Sequence, residues 1–74
     1  MTDVKMLDFR GVKCPEPLVK VIREVTCSDK TLIVLTDIDE CVRLIAEAIT
    51  GFNLGYIEII NKGTYYILKI SKTN

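Results

Sequence analysis

The group in this 74-residue sequence best suited to covalent chemistry is a cysteine thiol in an unusual setting. Cys14 is followed directly by Pro15, and Pro17 comes two residues later, just before an apolar run. Proline has no backbone N–H and fits the first turn of a helix, where that group has no helical partner. The pattern predicts Cys14 at the N-cap of a helix, with Pro15 and Pro17 at its first and third positions. The positive end of the helix dipole favours a thiolate there.

Charged residues close to Cys14 in the sequence modify this expectation. Arg10 and Lys13 add positive potential, which favours the thiolate, whereas Glu16 opposes it. We therefore expect a modestly activated, accessible thiol, a nucleophile that accepts a group and releases it again. The alternative interpretation is that Pro-x-Pro only marks the start of a helix and that Cys14 is an incidental cap.

The remaining residue types limit the chemistry further. The sequence contains no histidine, which excludes Cys-His and Ser-His nucleophile pairs and most zinc sites. No metal or organic cofactor is implied, and we expect none. Three cysteines without a C-x-x-C pair do not indicate a disulfide framework. Cys41 is a candidate second thiol, although its position on the apolar face of a predicted helix favours a role in the core. Cys27 is interpreted as incidental.

The composition indicates one small packed domain. Hydrophobic residues make up 49% of the chain, and ten basic residues balance ten acidic ones. A nucleic-acid partner normally requires a basic excess, so direct binding of nucleic acid is not expected. No signal peptide and no apolar run of membrane-spanning length is recognisable, and with the odd number of cysteines this predicts a cytoplasmic protein with no membrane partner.

Periodicity predicts six elements in the order β-α-β-α-β-β. The predicted strands are residues 4–9, 31–36, 55–60 and 65–70, the last two joined as a hairpin. The first helix follows Pro15, where apolar residues recur at helical spacing. The second helix is predicted to begin with a capping box of Asp37 and Glu40, and to end where Gly51 adopts a left-handed conformation.

Right-handed crossovers place both helices on one face of a mixed four-stranded sheet, an α/β (α+β) two-layer sandwich. Both helices then begin at the carboxyl edge of the first two strands, where sites usually lie in open α/β sheets. Cys14 falls at this edge, which favours a functional role over an incidental one. The strand at residues 31–36 is apolar on both faces, so its uncovered face either packs against a partner or a second copy, giving a homodimer, or is shielded by neighbouring side chains.

Residues 7–18, which read LDFRGVKCPEPL, resemble the L-D-x-x-G-x-x-C-P-x-P signature of the TusA/SirA-like sulfur-carrier family, with Gly11 as its glycine. The resemblance extends weakly through Thr36 and Asp37 and the closing hairpin, and it implies a single domain over residues 1–74 with sheet order 1-2-4-3. It further implies that Cys14 carries sulfur as a persulfide between a donor protein, either a cysteine desulfurase or a rhodanese-like protein, and an acceptor protein. The chain departs from the family pattern at Ile38, where proline is frequent.

Three functions follow as hypotheses. A persulfide relay, a sulfurtransferase activity, needs one accessible sulfur and no resolving thiol beside it, since a neighbouring thiol would discharge the load as sulfide. A thiol redox protein would use Cys14 and Cys41 if the two lie close together. A non-catalytic module would bind protein or RNA, although the basic residues alternate with acidic ones as on a solvated helix face. These basic residues are Arg10, Lys13, Lys20 and Arg23.

Overall fold

Six elements follow one another along the chain in the predicted order, in a computed structural model that describes residues 3–27 and 30–72. They are β1 (Val4–Asp8), α1 (Glu16–Cys27), β2 (Thr31–Thr36), α2 (Asp39–Gly51), β3 (Gly55–Asn61) and β4 (Tyr66–Lys72). The strands form one sheet in the order β1-β2-β4-β3, with β1 parallel to β2 and β4 antiparallel to β2 and β3. The predicted fold class and strand order are confirmed.

Alternation along β2 separates the two faces of the sheet. Leu32 and Val34 are completely buried under the helices, and their partners across the ladder to β4 are Ile70 and Leu68. The helices close this layer with apolar stripes at helical spacing. The buried core residues are Val21, Val25, Leu32, Val34, Val42, Ile45, Ile49, Leu68 and Ile70. Burial of each such side chain stabilises the fold by about 1.5–3 kcal/mol. This layer therefore holds the two helices against the sheet.

The opposite face of the sheet carries apolar side chains without a covering helix. Ile33 and Leu35 of β2 are half-buried there by neighbouring strands. At the margins, Met6 is 64% exposed and Tyr56 is 70% exposed. The prediction that β2 is apolar on both faces is confirmed, and the predicted partner or second copy on this face stays a prediction.

The ends of α2 differ from the predicted ones. Its N-cap is Ile38, without a side-chain cap, because the Asp37 carboxylate accepts a hydrogen bond from Gly11 instead of serving a capping box. Gly51 lies inside the helix, since the next amide, that of Phe52, still donates to the carbonyl of Ala48. The predicted capping box and the left-handed Gly51 are therefore both wrong.

The left-handed residue after α2 is Asn53, with φ 54°. Asparagine tolerates this conformation better than most residues, because its short polar side chain can form local hydrogen bonds.

The two helices are short, since α1 and α2 contain 12 and 13 residues. Among the helices of residues 3–27 and 30–72, neither has the length and apolar character needed to cross a membrane.

Candidate functional site

The loop between β1 and α1 is built by backbone contacts that begin at the end of β1. The amide of Phe9 donates to the carbonyl of Leu35 at 2.8 Å, and the amide of Val12 donates back to the carbonyl of Phe9 at 3.0 Å, which closes a turn. Gly11 sits in this turn with φ 82°, where an added side chain would meet nothing but would strain the backbone. The glycine of the signature is thus needed for its conformation.

A side-chain contact ties this loop to the next strand. The amide of Gly11 donates to Oδ1 of Asp37 at 2.9 Å, and Asp37 directly follows β2. The chain segments that lead into α1 and α2 are therefore joined to each other at the carboxyl edge of the parallel pair.

Helix α1 begins one residue later than predicted. The amide of Val19 donates to the carbonyl of Pro15 at 3.0 Å, so Pro15 accepts the first helical hydrogen bond and is the N-cap. Cys14 stands one residue before the cap, and the Cys14–Pro15 peptide bond is cis. Pro17 is buried inside the first turn, and Glu16 is the exposed first residue of the helix. The predicted placement of Cys14 at the N-cap is wrong by this one position.

Cys41 lies directly against Cys14. It is the third residue of α2 and is completely buried, and its sulfur is bonded to that of Cys14 in a disulfide, with the two Cα atoms 5.6 Å apart. The prediction that both helices start at the same sheet edge is confirmed, and so is the burial of Cys41. The sequence left open whether Cys14 and Cys41 lie close together, and they do, because the third residue of α2 and the residue before the N-cap of α1 meet across this edge. The expectation against disulfides is wrong for this pair.

The two sulfurs differ in access. A cleft of about 250 Å³ is lined by Lys13, Cys14, Ile38 and Glu40. Cys14 is half-buried and borders this cleft, whereas Cys41 lies behind it in the core. A reactant in the cleft therefore meets the sulfur of Cys14, with the Lys13 ammonium favouring an anionic reactant and the Glu40 carboxylate opposing it.

Arg10 is engaged away from the cleft. Its guanidinium forms a two-pronged ion pair with Asp8, at 2.9 Å and 3.0 Å, and lies 5.3 Å from the ring centre of Tyr65. The hydrogen bonds from Arg10 hold the pKa of Asp8 below its ordinary value, and the carboxylate raises the pKa of Arg10 in turn. Among the predicted supporting charges, Lys13 lines the cleft, whereas Arg10 and Glu16 do not.

Tyr66 lies beside the start of the helix that carries Cys41. Its hydroxyl group bonds to the carboxylate of Asp39, the first residue of α2, and this hydrogen bond raises the pKa of Tyr66. Sequence reasoning missed this pair because it exists only once β4 pairs with β2, which places Tyr66 opposite Thr36. No local signal in the sequence joins positions 39 and 66.

The third cysteine lies apart from the other two. Cys27 is the last residue of α1 and its exposed thiol is free, as the interpretation of this residue as incidental requires. Within residues 3–27 and 30–72, no group of three or more histidine, cysteine, aspartate or glutamate residues could hold a metal ion.

The fold and this edge define a class of protein, a small α+β sandwich that presents one reachable cysteine where its first helix begins. The family model described as sulfurtransferase TusA matches residues 5–72, and the chain belongs to this family. The sulfur carrier protein TusA of Buchnera aphidicola subsp. Baizongia pistaciae (strain Bp) is 33% identical over 75 residues, which cover 97% of this chain and 94% of that protein. No solved structure gives a significant match.

Proposed function

We propose that this chain is a sulfur carrier that holds one sulfane sulfur on Cys14 as a persulfide and relays it from a donor protein to an acceptor protein. Family membership and the name of the Buchnera relative support a sulfur-carrying role. The observation that carries the proposal for Cys14 is its position, half-buried beside a cleft at the carboxyl edge of the parallel strands. The donor class, a cysteine desulfurase or a rhodanese-like protein, the cytoplasmic location and a homodimer stay predictions.

Loading and unloading are both thiol exchanges at this sulfur. The Cys14 thiolate attacks the outer sulfur of a donor persulfide, so that the donor leaves as a thiolate and the sulfane sulfur stays on Cys14. An acceptor thiolate then attacks that outer sulfur, and Cys14 leaves as a thiolate. No base is needed if the thiolate is already populated, which the nearby Lys13 ammonium favours.

The carrier works in its reduced form. A sulfur held in the bond to Cys41 is not a nucleophile, so the disulfide has to be reduced by a thiol reductant before Cys14 accepts sulfur from a donor persulfide. This disulfide also favours a second candidate function, a thiol redox protein that uses Cys14 and Cys41. The two functions leave different products, an added sulfur on Cys14 for the carrier and a linked pair of cysteines for the redox protein.

The experiment uses reduced protein carrying Cys27→Ser, which removes the exposed thiol at the other end of α1. The protein is loaded by a cysteine desulfurase with free cysteine, separated from the donor, and treated with cyanide, which converts sulfane sulfur to thiocyanate. We expect one equivalent of thiocyanate from the Cys41→Ala variant of this protein, no more than that while Cys41 is present, and none once Cys14→Ser is added. Equal thiocyanate with and without Cys14 would overturn the proposal. No thiocyanate from the Cys41→Ala variant, together with a Cys14–Cys41 disulfide in the parent protein, would favour the redox protein.

A further inference from the structure

We propose that Cys41 is a resolving thiol that discharges the Cys14 persulfide as inorganic sulfide, and that the same exchange in reverse loads Cys14 from sulfide. The discharge rests on the proposed function, because it requires a persulfide on Cys14. The loading from sulfide does not, because it starts from the disulfide that the structure contains.

Proximity supports the exchange. The sulfurs of Cys14 and Cys41 are bonded with their Cα atoms 5.6 Å apart, so the Cys41 thiolate of the reduced, loaded protein reaches Sγ of Cys14 from within the same fold. An intramolecular attack of this kind competes well with attack by a second molecule, because no encounter is required. The position of Cys41 in the first turn of α2 favours its thiolate through the helix dipole, whereas its burial opposes the charge.

Burial determines which sulfur takes which role. Cys41 is completely buried and does not line the cleft, so neither a donor nor an acceptor protein reaches it directly. Its remaining reaction partner is Cys14. A buried cysteine beside Cys14 cannot receive sulfur from a partner protein, but it can displace the sulfane sulfur that Cys14 carries.

The discharge balances without an outside oxidant. The Cys41 thiolate attacks Sγ of Cys14, the bond from Cys14 to the sulfane sulfur breaks, and that sulfur leaves as HS⁻ with the proton it already carried. The sulfane sulfur is reduced to sulfide, and the two cysteines are oxidised to the disulfide. A dithiol reductant is then required to return the carrier to its reduced form.

In the reverse reaction, sulfide attacks one defined sulfur of the disulfide. Sulfide that enters the cleft meets Sγ of Cys14 and not that of Cys41, because only Cys14 lines the cleft. HS⁻ therefore attacks Cys14, the disulfide breaks, and Cys41 leaves as a thiolate inside the core. The product carries a persulfide on Cys14 and a free thiol on Cys41, since access decides which sulfur of a disulfide is attacked. The substrate class assigned to this site is inorganic sulfide.

The first test uses the Cys27→Ser protein in its disulfide form with heavy-isotope sodium sulfide, followed by alkylation in denaturant and peptide mass spectrometry. We expect the labelled sulfur on the Cys14 peptide and an alkylated thiol on Cys41. Label on Cys41, or an intact disulfide after the addition of sulfide, would overturn the proposal. This test needs neither a donor protein nor a substitution at position 41, so it stands even if a variant at that position fails to fold.

The second test follows sulfide release from reduced protein after loading on Cys14. We expect release in the Cys27→Ser protein, and release at least about tenfold slower after Cys41→Ala or Cys41→Ser, because the intramolecular thiolate is gone. Equal persulfide lifetimes with and without Cys41 would overturn the discharge while the proposed carrier function stands. If Cys14 never accepts sulfur from a donor, the proposed carrier function is contradicted instead. The test with labelled sulfide then still decides whether sulfide opens the disulfide at Cys14.

Discussion

The backbone amide of Gly11 donates a hydrogen bond to Oδ1 of Asp37, at 2.9 Å, across the carboxyl edge of the sheet. One partner lies in the loop that leads to Cys14, and the other stands two residues before the helix that carries Cys41. This bond connects residues 26 positions apart and sets the distance between the two loops. The carboxylate that sequence patterning assigns to a helix cap is therefore used to hold the site together.

Replacement of Asp37 tests this role. Asp37→Ala removes the acceptor, and we expect a loss of about 1 kcal/mol in the free energy of unfolding, since the contact is exposed. Asp37→Asn keeps an Oδ1 acceptor and is the matched control, with a smaller loss expected. Urea unfolding measures both, and disulfide formation between Cys14 and Cys41 should slow in the alanine variant. Equal losses in the two variants would show that the carboxylate acts by its charge and not by accepting this bond.

Access to the three thiols provides a second prediction. In reduced protein, Cys27 and Cys14 should react with iodoacetamide under native conditions, because the first is exposed and the second lines the cleft. Cys41 should react only after denaturant is added, since it is completely buried. Timed alkylation with peptide mass spectrometry gives the order, and rapid native labelling of Cys41 would contradict the assignment of Cys14 as the reachable sulfur.

The ion pair of Asp8 and Arg10 predicts a dependence on pH. Hydrogen bonds from Arg10 lower the pKa of Asp8 in the folded protein from its ordinary value of 3.8, so the pair adds stability that is present above this value. The contribution is lost as the pH falls from about 3.8 through the lower folded pKa. NMR titration of the Asp8 carboxyl group should show a pKa that returns towards 3.8 in Arg10→Gln. The same pKa in both proteins would exclude the pair in solution.

The raised pKa of Tyr66 predicts a loss of stability at high pH. The hydrogen bond to Asp39 raises the pKa of Tyr66 above its ordinary value of 10.0, so its contribution to stability is present below pH 10.0 and is lost as the pH rises through the folded pKa. Absorbance titration should show a late tyrosinate transition that Tyr66→Phe removes. Tyr56→Phe is the matched control, because Tyr56 is 70% exposed and should leave the late transition in place. Persistence of that transition in Tyr66→Phe would contradict the contact.

The elements of this fold are largely readable from local pattern. β2 has the predicted limits because six consecutive strand-forming residues are flanked by polar residues. The helix ends are harder to predict from the sequence, because they depend on which of several groups forms each hydrogen bond. Asp37 binds Gly11 across the sheet edge, and Pro15 accepts the first bond of α1. The first of these bonds joins residues 26 positions apart, and the second depends on where within its first turn α1 begins.

The same distinction applies to the site. The signature around Cys14 and the right-handed crossovers place Cys14 and Cys41 at one edge, which sequence reasoning predicted. Their direct bond depends on the position of each residue within its first turn and on the path of two loops, to an accuracy of a few ångströms. The hydrogen bond of Tyr66 to Asp39 likewise requires the register of β4 against β2. Proximity of this kind comes from the folded chain and not from any single segment.

The most direct test of the central claim is to locate the sulfur. Reduced protein carrying Cys27→Ser and Cys41→Ala, in which no second cysteine can discharge the persulfide, is incubated with a cysteine desulfurase and cysteine containing heavy-isotope sulfur, and the alkylated peptides are analysed by mass spectrometry. We predict one labelled sulfur on the peptide that contains Cys14, and no label in the protein that also carries Cys14→Ser. Label elsewhere in the chain, or no labelled persulfide at all, would contradict the assignment of Cys14 as the sulfur carrier.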